Sequence, residues 1–148
     1  MTKQFLCALL LCAAALPLHA EEAVRPPPAD DSVYQAFGQQ AGIRALMEDF
    51  FSRLQADPRT APFFEKANRE NLVAQLSDQL CQEGCGPCVY KGAPMRPVHE
   101  GMGIRKQDFN ALVEVLQQAM DAKGIPFAAQ NRMLARLAPM HREIIEAR

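Results

Sequence analysis

Apolar residues recur along this chain at helical spacing. From Gly42 onward, Ile43, Leu46, Met47, Phe50, Phe51 and Leu54 fall at i, i+3, i+4, i+7, i+8 and i+11, one stripe of an amphipathic helix. "ADPRTAP" breaks that helix. The next is predicted to start near Asn68, with Leu72, Val73, Leu76 and Leu80 on one face, and to end at Gly84, Gly86 and Pro87. "MRPVHEGM" allows at most two turns, with Pro97 suited to a first turn. Phe109, Leu112, Val113, Leu116 and Met120 mark a long helix stopped by Gly124. Pro126 opens the last one, with Met133, Leu134, Leu137, Met140, Ile144 and Ile145 inward, and Pro139 should kink or break it. Ahead of these, "SVYQ" has the capping-box pattern, with Ser32 as N-cap and Gln35 three residues on, and Gly38 ends that short helix. No segment alternates as a strand would, and no internal repeat is present. The pattern predicts an all-α fold of five to seven helices.

The first residues have a different pattern. Lys3 precedes the apolar run "FLCALLLCAAALPL" of 14 residues, too short to span a bilayer comfortably, and "LHA" ends in the small residue a signal peptidase needs. Residues 1–20 read as a cleaved secretory signal, taking Cys7, Cys12 and His19 with them. A lipoprotein is the competing reading, but Leu6 and Leu11 stand before the cysteines where a small residue is wanted. An uncleaved membrane anchor is the other. "EEAVRPPPADD", residues 21–31, is acidic and Pro-rich and reads as a disordered leader. Residues 32–148 then form one domain, expected in the periplasm or outside the cell, with no membrane association once the signal is removed. The chain's 148 residues are 49% hydrophobic and 22% charged, enough for a core of its own. A net charge of −1 and no cluster of Lys and Arg argue against a nucleic-acid partner.

Export changes how the remaining cysteines are read, because an oxidising compartment permits disulfides. Cys81, Cys85 and Cys88 are an odd number. "CGPC" is the thioredoxin motif, but there it follows a strand, and here it follows an amphipathic helix. Covalent haem attachment needs a His directly after the C-x-x-C pair, and Val89 stands there. Three thiols and His99 make a zinc set whose spacing matches no familiar finger or ribbon. The expected outcome is a disulfide from Cys81 to Cys88 across the end of a helix, with 81–85 and 85–88 as competitors. A loop this short is worth roughly 2–3 kcal/mol in the chain-entropy model.

Of the histidines, His141 reads as a surface or half-buried helix residue. His99 shares a helix face with Met95 at i−4 and Met102 at i+3. Taken alone, such a residue is more often part of a core than a ligand.

The order of motifs points further. "VYQAFG", "LMEDFFSRLQADPRTAPFF", "GPCVYKGAPMRPVHEGMGI", "DFNALVEVLQQAMDAKGIP" and "LAPMHREII" follow one another from Val33 to Ile145. Together they resemble the group I truncated haemoglobins, the short two-on-two globins. Tyr90, Gly92, Met95, His99, Gly101, Gly103 and Ile104 carry the most specific part, at the spacing of the family's proximal-histidine loop. The resemblance implies a two-on-two helical sandwich around non-covalent haem b, with iron held by His99. A neutral imidazole suits that role when its other N–H is held by a carbonyl. The pocket walls it implies are Phe64, Met95, Met102, Ile104, Phe109 and Val113. Lys91 and Arg96 are weighed as propionate partners against a solvated surface.

The resemblance also implies reversible binding of O₂, NO or CO. Several relatives oxidise NO to nitrate, so an oxidoreductase served by a separate reductase is a further expectation. A haem-based redox or gas sensor, with Cys85 as a free thiol, and a haem-free helical domain with a structural disulfide are the alternatives.

The sequence departs from the family pattern on the distal side. The family's ligand-binding Tyr is Phe51 here, and the distal helix positions fall at Leu72, Gln75 and Leu76, with Gln79 one turn on. At 100° per residue, Leu72, Leu76 and Gln79 lie within about 60° of one another. A Tyr hydroxyl or a buried Gln amide can donate to a polarised ligand, a bond worth roughly 1.5–3 kcal/mol. Phe51, Leu72 and Leu76 cannot, so O₂ should be held less tightly than in relatives with the Tyr unless Gln75 or Gln79 turns inward. Gln75 also occupies the place of the distal His that ligates iron in some relatives. Two family Gly-Gly pairs are Gly38-Gln39 and Cys85-Gly86, and Cys85 would be strained if φ must be positive there. Arg105 replaces the N-cap expected before the Phe109 helix.

Overall fold

The structure is a computed structural model that describes residues 30–146. The expected signal, all of the leader but residues 30 and 31, and residues 147–148 lie outside the described residues. The described chain is helical, with no strand: α1 (Ser32–Ala36), α2 (Gln39–Ala56), α3 (Ala61–Phe64), α4 (Arg69–Glu83), α5 (Met95–His99), α6 (Lys106–Ala122), α7 (Phe127–Leu137) and α8 (His141–Ile144). The all-α reading stands, with more segments than the five to seven expected among the described residues. The corner after α2 forms its own short helix. Pro139 splits the last helix through a 3₁₀ turn, Ala138–Met140.

The four long helices make the sandwich. α2 packs on α4 and α6, and α7 closes the layer against α4 and α6. The predicted stripe of α2 is the heart of the core: Ile43, Leu46, Met47, Phe50, Phe51 and Leu54 are all buried. Thr60, also buried, donates from Oγ1 to the Leu54 carbonyl at 2.7 Å and so satisfies a helix-end acceptor. Other predicted inward residues are only half-buried: Leu72 and Leu76 on α4, Phe109, Leu112 and Val113 on α6, Leu134 and Leu137 on α7. These cluster on the open side of the sandwich.

Helix ends follow the sequence with two corrections. Asn68 caps α4 as expected, its side chain accepting from the Asn71 N–H at 2.9 Å. Ser32 is not the N-cap of α1. The N-cap is one residue earlier, Asp31, so Ser32 is the first helical residue, and its Oγ is buried without a partner. Asp30 accepts from the Ser32 N–H at 3.0 Å instead, and Gln35 donates to Asp31 rather than closing a box on Ser32. At α6, Asp108 compensates for the unfavourable Arg105 cap by reaching back to the Arg105 N–H at 2.9 Å. Its bond from the Arg105 side chain, then that from the backbone, holds the Asp108 carboxyl below the usual carboxylate range.

Two positions where the resemblance implies a glycine have positive φ. Gln39 has φ 58° and Cys85 φ 62°, so both side chains sit in the left-handed region. Cys85 was expected to be strained on this condition, and the condition holds.

Candidate functional site

Two adjoining apolar cavities open between α4, α5, α6 and the C-terminal segment. The first is about 380 Å³ and is walled by Leu76, Gln79, Met95, His99, Phe109 and Val113 among others. The second is about 270 Å³ and includes Phe64, Leu72, His99, Met102, Ile104 and Phe109. His99, Phe109, Leu112 and Ile144 belong to both, so the two are chambers of one crevice with His99 at the junction. All seven residues expected around a cofactor line it.

α5 holds His99 there through its backbone. His99 Nδ1 lies 2.7 Å from the Met95 carbonyl, one helical turn back. A carbonyl only accepts, so Nδ1 carries the proton and donates, and Nε2 keeps its lone pair. The chain then leaves α5 through Gly101 (φ 80°) and Gly103 (φ 68°), conformations a side chain at those positions would resist. The C-terminus fastens this exit: Glu146 accepts from the Gly103 N–H at 3.0 Å and its own N–H donates to the Ile104 carbonyl at 3.0 Å.

Upstream, Tyr90 and Gly92 shape the approach. The Tyr90 hydroxyl donates to the Ala93 carbonyl at 3.0 Å, and the Tyr90 N–H donates to Gln82 Oε1 at 2.9 Å. Burial raises the phenol's pKa, which keeps it a neutral donor. A Cβ on Gly92 would fall 2.2 Å from the Tyr90 hydroxyl, so the ring and the glycine require each other.

Cys81 and Cys88 form a disulfide with Cα atoms 5.7 Å apart, and Cys85 is free. The bridge takes two of the three thiolates that a zinc site would need. It ties the last turn of α4 to the strap leading to α5. Tyr34 seals it from the other side, donating from its N–H to the Gly84 carbonyl at 3.2 Å. A Cβ on Gly86 would sit 2.6 Å from the Tyr34 ring and 2.7 Å from the Cys81 sulfur.

The expected distal set divides. Leu72, Leu76 and Gln79 face the crevice. Phe51 and Gln75 line neither chamber. Phe51 is one layer back, edge-on to Phe64 with ring centroids 6.5 Å apart, and the Arg69 guanidinium lies 5.1 Å over its ring. The Gln75 Oε1 is buried without a partner. Of the basic residues weighed as propionate partners, Arg96 borders a polar recess beside His99 with Glu100 and Arg142, whereas Lys91 lines a separate recess next to Cys88. His141 is exposed, as expected, and its ring leans on Phe109 at 6.4 Å. Met140, Leu134 and Leu137 also wall the first chamber. Their periodicity marked them as inward but could not separate cavity wall from core.

Comparison with known proteins agrees with this architecture. Residues 32–146 match the model of the bacterial-like globin family. The group 1 truncated haemoglobin of Mycolicibacterium paratuberculosis is 31% identical over 113 residues, covering 76% of this chain and 83% of that protein. The group 1 truncated haemoglobin of Tetrahymena thermophila is 31% identical over 94 residues, 64% of this chain and 78% of that protein. Among solved structures, the Fe(III) form of truncated haemoglobin from Tetrahymena pyriformis superposes with a TM-score of 0.74 at 24% identity, covering 78% of this chain and 98% of that one. The fold, the crevice and these matches agree: the chain belongs to the bacterial-like globin family and is similar to group 1 truncated haemoglobins.

Proposed function

We propose that this protein binds haem b without a covalent link, with His99 Nε2 as the proximal iron ligand, and that it reversibly takes a diatomic ligand, O₂, NO or CO. The observation that carries the reading is the His99 ring, fixed by the Met95 carbonyl with its Nε2 lone pair free, at the junction of two apolar chambers. Globin membership supports the cofactor class. Bound haem would supply an iron centre with one coordination position open to a small ligand.

The residues each have a task in this reading. His99 holds the metal, and the Met95 carbonyl sets the ring's tautomer and raises its basicity as a ligand. Phe64, Met102, Ile104, Phe109 and Val113 cover the macrocycle and exclude water. Arg96, at the polar rim, faces the acidic edge. Leu72 and Leu76 give the ligand side an apolar surface that donates no hydrogen bond.

Oxidation of NO to nitrate is a finer possibility of the same site, and it needs electrons from a reductase. The Cys81–Cys88 disulfide supports placement in an oxidising compartment, the periplasm or the exterior. The deciding experiment is the absorption spectrum of the purified protein after haem reconstitution. A Soret band that is lost in His99→Ala is expected. No Soret band in the wild type would leave the haem-free helical domain as the reading, and normal haem uptake by His99→Ala would overturn the proximal assignment.

A further inference from the structure

His99 and Ile144 line both apolar chambers and also the polar recess beside them, about 570 Å³, which Glu143 and Glu146 border. His99 comes from α5 and Ile144 from α8, and these two short helices pack on each other. Neither contains a buried residue, so apolar burial does little to hold them together. Their fastening is polar, and it lies in the loop that follows His99.

Gly101 and Gly103 give residues 101–104 a conformational freedom that other residue types lack. Among the described residues, the backbone of this loop makes one internal hydrogen bond, from the Met102 N–H to the His99 carbonyl at 3.2 Å. Its other two go to Glu146. The Gly103 N–H donates to Glu146 Oε1 at 3.0 Å, and the Glu146 N–H donates to the Ile104 carbonyl at 3.0 Å. The carboxylate acceptor makes the first of these charge-assisted, hence the stronger. One bond fixes a distance, and two from the same residue also fix an orientation. Met102 and Ile104 line the second chamber. Glu146 therefore ties a wall of the crevice, and the exit of α5, to the segment that carries Ile144.

We propose that Glu146 is the latch of this crevice and a positioning residue for His99. Closed, it holds the His99 loop and α8 together around the crevice. Open, it frees both glycines to turn, and Met102, Ile104 and Ile144 part to let a flat apolar group pass. Haem exchange is then gated at Glu146 and not by the core. The inference rests on the haem reading and adds to it how the cofactor is retained.

The test compares wild type, Glu146→Leu, Glu146→Gln and Glu143→Leu, each reconstituted with haem. Transfer of haem to an excess of haem-free myoglobin gives the rate of loss. Glu146→Leu has no side-chain acceptor and should speed loss about ten- to a hundred-fold, the range of one hydrogen bond to a charged acceptor. Glu146→Gln keeps an oxygen acceptor without the charge and should fall between wild type and Glu146→Leu. Glu143→Leu removes a carboxylate from the same recess and should match wild type. The iron–histidine stretching band of the reduced protein should shift in Glu146→Leu, a change that a general loss of stability does not produce. In the haem-free protein, the Gly103 amide of Glu146→Leu should exchange faster by a similar factor, with the α2 amides unchanged. Unchanged haem loss in Glu146→Leu, with its Soret band intact, overturns the inference while the haem reading stands. So does a Glu146→Gln or Glu143→Leu variant as fast as Glu146→Leu, which would make the charge the cause and not the bond. An unmoved iron–histidine band, or α2 amides that exchange faster along with Gly103, would make Glu146 an ordinary structural contact and overturn it too. Failure of the wild type to take up haem overturns the haem reading and the inference together.

Discussion

The two sides of this molecule are built from similar apolar residues and packed to different ends. On one side, α2 packs between α4 and α6 with Ile43, Leu46 and Leu54 fully buried, while Met47 and Phe50 of the same stripe reach the wall of the first chamber. On the other, α5 and α8 contain no buried residue, pack on each other, and leave a crevice between themselves and α4 and α6. The closed side resembles any well-packed interior, where a missing methylene is felt. The open side keeps Leu72, Leu76, Phe109, Leu112 and Val113 only half-buried, and a flat apolar group filling the crevice would complete it. Stability is expected to belong mainly to the first side, and the proposed cofactor chemistry to the second.

The sharpest way to break that division is a pair of truncations. Leu46→Ala should lower the unfolding free energy of the haem-free protein by about 2–5 kcal/mol, from lost burial plus a cavity. His99→Ala should change it by less than about 0.5 kcal/mol, as a substitution outside the core, yet abolish the Soret band. Urea midpoints and spectra measure both, and a large stability loss in His99→Ala would mean the two sides are one cooperative core. Next in size is the strut between the sides. Replacing Cys81 and Cys88 together by Ser should cost about 2–3 kcal/mol, read as a shift in thermal midpoint that a reductant produces in the wild type but not in the variant.

Thr60→Val tests the polar seal between the end of α2 and the second chamber. It removes the donor to the Leu54 carbonyl and should cost about 1–2 kcal/mol by chemical denaturation. The smallest effect is electrostatic. Asp108 has its carboxyl pKa lowered by Arg105, so it adds stability above its unfolded value near 4. That contribution is lost as the pH falls through the lower folded value. Asp108→Asn should therefore reduce the melting temperature at pH 6 and converge with wild type in strong acid. A constant difference across the titration would mean that the loss is not of the charge.

Much of the closed side is readable from spacing alone. The six α2 positions predicted inward are the six found buried, because a stripe facing a continuous core repeats at the helical period without interruption. The loop that carries His99 is readable too. Its backbone demands specific residues: glycines where φ is positive after His99, and Gly92 where the Tyr90 ring lies against the chain. The α4 wall of the crevice is less so. Gln75 and Gln79 are alike as letters and four residues apart, and a rotation of about 40° around α4 separates a residue in the crevice from one outside it. The sequence pattern puts the α1 cap one residue late, since Asp30, Asp31 and Ser32 are all competent caps and only the packed chain selects among them.

Local pattern and residue type alone give the helical class, the order of the long helices, the glycine-bounded loop with His99 and the family resemblance. Each of these is written in local periodicity or in residue types that a local conformation requires. The tertiary structure decided which apolar residues wall a crevice and which fill a core, because both kinds look the same along one helix and differ only in what faces them. It selected Cys81 and Cys88 from three candidate pairs, since a disulfide requires two sulfurs to meet in space. It also turned Gln79, and not Gln75, toward the cavity that His99 lines.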